Sequence, residues 1–219
     1  MIDPNLEKSY NFDYHSEIVK DHLNKIDLQG LSEKEIAIKL YIHVRDFWPY
    51  YPYRFSLKKT DWKASEIIRH KNGHCLDKAV LLISFLRANN IPARLGLAKV
   101  KNHIAIEHIV EKFGSDVLVP HGYVALFLNN KWVKATPAFN FELCDRLGVS
   151  TLEFDGENDS LFQEFDKTGN LSFMEYLEDY GTFDEVPLQF MLELMQEHYP
   201  PFLKNNIKLG DVLDLNQLQ

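Results

Sequence analysis

Gly73-His74-Cys75-Leu76-Asp77-Lys78-Ala79-Val80-Leu81-Leu82-Ile83-Ser84-Phe85-Leu86-Arg87-Ala88-Asn89-Asn90-Ile91-Pro92 decides how the chain is read. From Leu76 to Asn89 it is apolar nearly all round, broken mainly by Asp77, Lys78, Ser84 and Arg87. A helix of that kind belongs inside a core. Asn89-Asn90 tolerate left-handed backbone, and Pro92 blocks continuation. Cys75 opens this helix. The partial positive charge of a helix N-terminus favours thiolate there. Gly73 lets the chain turn sharply, and the free N–H groups of the first turn can receive a developing oxyanion. The bland alternative is a cysteine packed as a small hydrophobe.

Working upstream, Ser32-Glu33-Lys34-Glu35 has the form of a capping box. The helix after it places Ile36, Leu40, Val44 and Phe47 on one face and should stop near Trp48, ahead of Pro49. A short helix is expected around Ser16 to Lys25. Tyr50-Tyr51-Pro52-Tyr53-Arg54-Phe55 reads either as a loop packing its rings beneath itself or as a wall of a substrate cleft.

Downstream, Arg94 to Val100 reads as a strand. Residues 101–120 read as an insertion, with His103 to Phe113 helical. His121 to Leu128 reads as a strand buried on both faces. Asn129-Asn130 forms a two-residue turn, and Lys131 to Thr136 returns as the partner strand, ending at Pro137. In that register 126 faces 133 and 123 faces 136, so His121 and Thr136 are diagonal neighbours on one face. A histidine there can take the Cys75 proton, and residue 136 is placed to hold the imidazole. From about 145 the chain alternates acidic loops with amphipathic pieces, including a helix from Val186 to His198 stopped by Pro200-Pro201. The fold class is α+β: N-terminal helices packed on an antiparallel sheet, with a mainly helical C-terminal tail.

Bulk properties narrow the function. The chain has 219 residues, 45% hydrophobic and 26% charged, as in one globular domain. With 24 Lys+Arg against 32 Asp+Glu and no basic run, no nucleic-acid partner is expected. Two cysteines make no disulfide framework. No segment reaches the roughly 18 continuous apolar residues of a membrane helix, and no leader is visible. The expectation is a cytoplasmic protein with reduced thiols and no membrane partner.

Two separated blocks carry a resemblance. Gly73-His74-Cys75-Leu76-Asp77-Lys78-Ala79 with Leu86-Arg87-Ala88-Asn89-Asn90-Ile91-Pro92-Ala93-Arg94 resembles the nucleophile signature of the transglutaminase-like superfamily. His121-Gly122-Tyr123-Val124-Ala125-Leu126-Phe127-Leu128 and Lys131-Trp132-Val133-Lys134-Ala135-Thr136-Pro137 resemble its histidine strand and third-residue strand. The resemblance covers roughly 65 to 145. It implies a short, bacterial-type member with a papain-like fold. Its core would span about 32–145 of a single domain, with 146–219 as a C-terminal extension. It implies a cysteine hydrolase or acyltransferase acting on a protein or peptide amide, with Cys75 as nucleophile, His121 as base and no cofactor or metal. The family's usual aspartate before the proline is replaced by Thr136, which cannot give the imidazolium a full counter-charge. Asn140 is an alternative third residue. A weakened domain kept as a binding scaffold is the second expectation.

Three other features have plain readings. His103 and His108 are five apart, off a common helix face, so they read as solvated rather than as a zinc pair. Residues 164–175 have the outline of a calcium loop, but Glu164 stands where Asp is usual; a glycine turn is the simpler account. Cys144 is flanked by acids, which raise a thiol pKa, and reads as structural.

Overall fold

The computed structural model describes residues 5–103, 110–111, 114–162, 167, 169 and 173–214. Helix α1 spans Glu17–Leu23 and α2 spans Glu33–Phe47. The expected capping box is present: the Ser32 hydroxyl accepts from the Glu35 N–H, and the Glu35 carboxylate accepts from Ser32. Ala37, Leu40, Tyr41 and Val44 bury the inner face of α2. Phe47, expected on that face, is instead 58% exposed. The helix ends there, and the ring lies beside His22, His43 and Trp48 at the surface.

Strand β1 (Arg54–Ser56) and the short α3 (Ala64–Ile67) lead to α4 (Cys75–Ala88), whose residues from Val80 to Leu86 are fully or almost fully buried. Then come β2 (Ala93–Asn102), β3 (Val117–Leu128), β4 (Lys131–Ala135), α5 (Phe141–Leu147), β5 (Met174–Phe183), α6 (Leu188–His198), α7 (Pro200–Lys204) and β6 (Val212–Asp214). The main sheet is antiparallel in the order β4-β3-β2-β5, and β1 pairs with β6 in a second, two-stranded sheet. Helix α4 lies against β3 and β2 on one side and α2 on the other. This is the α+β arrangement the sequence indicates.

The β3–β4 hairpin turns at Asn129 and Asn130, both with positive φ, in the expected register of Leu126 with Val133. Two boundaries differ from the sequence reading. Strand β3 begins at Val117, so His121 is its fifth residue and does not open it. Val117 and Leu118 continue the ladder against Lys101 and Val100, so both ends of the expected 101–120 insertion are strand. The helix expected over 103–113 falls mostly outside the described residues. The tail, in turn, supplies strands as well as helices. Strand β5 interleaves Glu175, Glu178 and Asp179 with Tyr176 and Tyr180; Glu178 pairs with Lys99 of the adjacent β2, and Asp179 with Lys134 of β4 at the far edge. Such an edge strand stays in the sheet without an apolar run.

Buried charge ties the layers together. The Lys78 ammonium, fully buried in α4, donates to the Arg45 carbonyl at 2.7 Å and the Ala138 carbonyl at 2.5 Å. Burial pulls its pKa down to about 7. The bonds hold the end of α2 and the chain after β4 against the first turn of α4.

Gly122 fixes how closely α4 approaches the sheet. A Cβ there would lie 3.1 Å from the Leu76 Cα and 2.6 Å from its Cδ2. Gly122→Ala must push the start of α4 away from β3. We expect a loss of about 1–3 kcal/mol in denaturant unfolding; an unchanged midpoint would mean that the helix gives way freely.

Candidate active site

Cys75 is the first residue of α4. His74 caps the helix: its Nδ1 accepts from the Asp77 N–H at 3.3 Å, and the Asp77 carboxylate accepts from the His74 N–H at 3.1 Å. The His74 ring stacks on Phe55, with centroids 5.4 Å apart, and lies beside Trp62. The chain ahead of the cap is fixed as well. The Gly73 N–H donates to the Pro49 carbonyl and the Tyr51 N–H donates to the Gly73 carbonyl, both at 3.1 Å. The aromatic loop is therefore bonded to the turn that presents the cysteine.

The cap uses the Asp77 N–H and leaves those of Cys75 and Leu76 directed at the sulfur. The Gly122 N–H on β3 joins them. These three donors favour thiolate, as the sequence suggests. Burial outweighs them, and the Cys75 thiol is pushed up to about 11; the nearby Asp77 carboxylate pushes the same way. The expected thiolate is thus corrected to a neutral thiol at rest.

His121 lies on β3 beside Gly122, paired with Ala98 of β2. It is 3% exposed, and burial alone pulls its pKa down to about 4. Cys75 and His121 line one cavity of about 60 Å³. No hydrogen bond joins them: among the described residues neither ring nitrogen of His121 has a partner. Bonds of this kind are often long in a free enzyme and tighten only with substrate bound.

Thr136 follows β4 and is 3% exposed. Its N–H donates to the Ser160 carbonyl at 2.9 Å, and the Tyr41 hydroxyl donates to its carbonyl at 3.2 Å. His121 and Thr136 line one small gap with Ala138 and Phe139. Even so, the Thr136 hydroxyl has no partner among the described residues, so the expected bond to the imidazole is not made. Asn140 cannot take its place. Its Oδ1 accepts from the Tyr50 N–H at 2.9 Å and its Nδ2 donates to Glu142 at 2.6 Å, so the side chain braces the aromatic loop.

Met195 on α6 and Tyr199 just after it also line the cavity at Cys75. The Tyr199 hydroxyl accepts from the Val119 N–H at 2.7 Å and donates to the Val117 carbonyl at 3.0 Å. It thereby fixes the chain two residues before His121. The tail residues at the site carry no signal in the sequence beyond an apolar helical period and a stop at Pro200-Pro201. Among the described residues no group of three or more His, Cys, Asp or Glu could hold a metal. The sites weighed for zinc at 103–108 and calcium at 164–175 lie mostly outside the described residues. Cys144 is fully buried, and burial raises its thiol. No described helix is long and apolar enough to cross a membrane.

Residues 21–137, more than half of the chain, match the transglutaminase-like superfamily. A solved structure of a candidate cysteine protease from Cytophaga hutchinsonii is similar at 14% identity over 81% of this chain, with a TM-score of 0.39. This chain covers 53% of that one, about half its length. No curated protein matches.

Two pH effects follow from these environments. In a difference titration of the protein against Cys75→Ser, followed by thiolate absorbance, Cys75 should ionise near 11. Ionisation below about 8.5, the value of a free cysteine, would show that the helix terminus and N–H groups dominate. For stability, the unfolded chain takes up the His121 proton near 6.5, whereas the folded chain holds it off to about 4. The unfolded state binds more protons in that window, so stability falls as pH drops from 6.5 towards 4. His121 alone should contribute about 3 kcal/mol to the loss, and His121→Leu should flatten that part of the curve in urea melts.

Proposed function

Because the chain belongs to the transglutaminase-like superfamily, we propose that it is a cysteine enzyme acting on amide bonds through a thioester at Cys75, with His121 as base. One observation carries the reading. The sulfur, the imidazole and N–H groups from two elements converge on one buried cavity. As the sulfur attacks the carbonyl carbon, the thiol proton passes to His121. The carbon–sulfur bond forms, and the oxyanion is received by the Leu76 and Gly122 N–H groups. The carbon–nitrogen bond then breaks as His121 returns the proton to the leaving amine. Water or a second amine attacks the thioester, His121 takes its proton, and the thiol is released. With water the outcome is hydrolysis or deamidation, and with an amine it is acyl transfer.

The resting pair is neutral, and passing the proton from a thiol near 11 to an imidazole near 4 is uphill, so the step relies on the N–H groups that receive the oxyanion. The imidazole is unprotonated and free to accept, and the thiol needs no standing counter-ion. The weak point is the imidazolium formed midway, which has no carboxylate beside it. That observation supports a second reading, a binding scaffold with little turnover.

Acylation by p-nitrophenyl acetate, followed by nitrophenolate release and intact mass, separates the two readings. The enzyme reading expects an acetyl thioester on Cys75 ahead of Cys144, slowed about 100-fold or more in His121→Ala. Thr136→Asp, which supplies the missing charge, should speed it at least about tenfold. Acetylation of Cys75 no faster than of Cys144, or indifferent to His121→Ala, would leave the scaffold reading standing.

A further inference from the structure

The cavity at Cys75, about 60 Å³, has room for a few waters or a reacting amide group. A much larger one, about 390 Å³, adjoins it and shares Tyr50, Pro52 and Leu118 as walls. Its other walls include Phe139, Leu143 and Arg146. The aromatic side is rigidly built. The Tyr50 ring meets Phe139 edge-on at 4.8 Å, and Phe139 packs on Phe173 at 5.7 Å. Asn140 holds the Tyr50 N–H, and Gly73 bonds the same loop two residues before the nucleophile. A group seated here is therefore held at a fixed offset from the Cys75 sulfur.

Arg146 gives this cavity its chemical sign. Among the described lining residues it is the one group with a full charge, and no carboxylate accompanies it. It makes no ion pair among the described residues, although its neighbour Asp145 is paired with Lys167 at 2.9 Å. Arg146 is exposed at the mouth of this cavity, so its guanidinium is open to an anion from outside. Its planar fork suits a carboxylate.

We propose that the acyl donor is a peptide presenting a large apolar or aromatic side chain with a carboxylate next to it. The side chain fills the space between Tyr50, Phe139 and Leu143, and Arg146 reads the carboxylate. This rests on Cys75 being the nucleophile, so the test has one arm that needs no chemistry. The carboxylate can be an acidic side chain or a chain terminus, and that arm distinguishes them.

In the binding arm, calorimetry on Cys75→Ala protein compares acetyl-Glu-Phe amide, acetyl-Gln-Phe free acid and acetyl-Gln-Phe amide. At least one carboxylate-bearing peptide should bind about tenfold tighter than the neutral amide, and Arg146→Gln should erase the difference. The tighter of the two acids identifies the source. Equal binding of all three, or a preference that survives Arg146→Gln, overturns the proposal. In the covalent arm, acetyl-Glu-Phe and acetyl-Gln-Phe chloromethyl ketones compete for Cys75. The sulfur displaces chloride, the carbon–sulfur bond forms, and the thiol proton leaves to His121 and then solvent. Where the binding arm names the acidic side chain, the labelling ratio should favour the Glu reagent, fall to about one in Arg146→Gln, and persist in the exposed-site control Lys131→Gln; where it names the terminus, the ratio should be about one throughout. If neither reagent nor iodoacetamide labels Cys75 ahead of Cys144, the nucleophile reading fails, and the binding arm alone decides the subsite.

Discussion

The first turn of α4 begins in contact with the backbone of β3, and the site exists only because it does. Gly122 has no side chain to hold the Leu76 Cα away. The same approach brings the Gly122 N–H to the Cys75 sulfur and puts His121 on the wall of its cavity. Other features keep the two elements from separating. Lys78 binds carbonyls of two neighbouring segments from inside α4, and Tyr199 holds the start of β3 through Val117 and Val119. Tyr123, next to Gly122, passes its ring over Gly96 of β2, where a Cβ would lie 2.0 Å from the ring. Two glycines on adjacent strands thus set the depth at which both helix and ring settle on the sheet.

That depth has an electrostatic consequence. Raising the Cys75 thiol from 9.0 to about 11 corresponds to about 3 kcal/mol against the thiolate. A helix N-terminus returns about 0.3–1 kcal/mol, and up to about 2 in partly buried geometries. Burial therefore wins, and the site rests as thiol and imidazole. Sequence position alone suggested the reverse, because a motif displays the helix terminus but not how far the sheet and the tail close over it.

What could be read in advance divides along the same line. The α4 helix, the capping box at Ser32 and the Asn129-Asn130 turn are local, and their residues specify them. The hairpin register follows from the turn, so His121 and Thr136 were legible as neighbours. Strand β5 was not. Its acids and tyrosines suit a solvated edge paired with lysines, which lacks the apolar signal of a buried strand. Nor were Met195 and Tyr199, which reach the cavity from more than a hundred residues away through the packing of α6. The start of β3 was missed for a related reason: pairing with β2, not local composition, makes Val117 and Leu118 strand.

Thr136 is best understood through what the site leaves unsatisfied. Of the five buried side-chain polar atoms without a partner among the described residues, three belong to His121 and Thr136. The buried cations, by contrast, are satisfied: Lys78 by two carbonyls, Arg87 by those of Glu7 and Ala93, Arg45 by Leu152, Asp46 and Glu153. An orphaned buried group costs about 1–3 kcal/mol. On the proposed reading, the His121 and Thr136 atoms are those to which a bound amide can offer both a donor and an acceptor. A core that had lost its use for the site would lower its energy by replacing His121 with an apolar residue. On the same reading, the imidazole stays beside the Cys75 sulfur because the pocket receives a polar guest. Whether it cleaves that guest then depends on how much charge a threonine, in place of a carboxylate, allows His121 to hold.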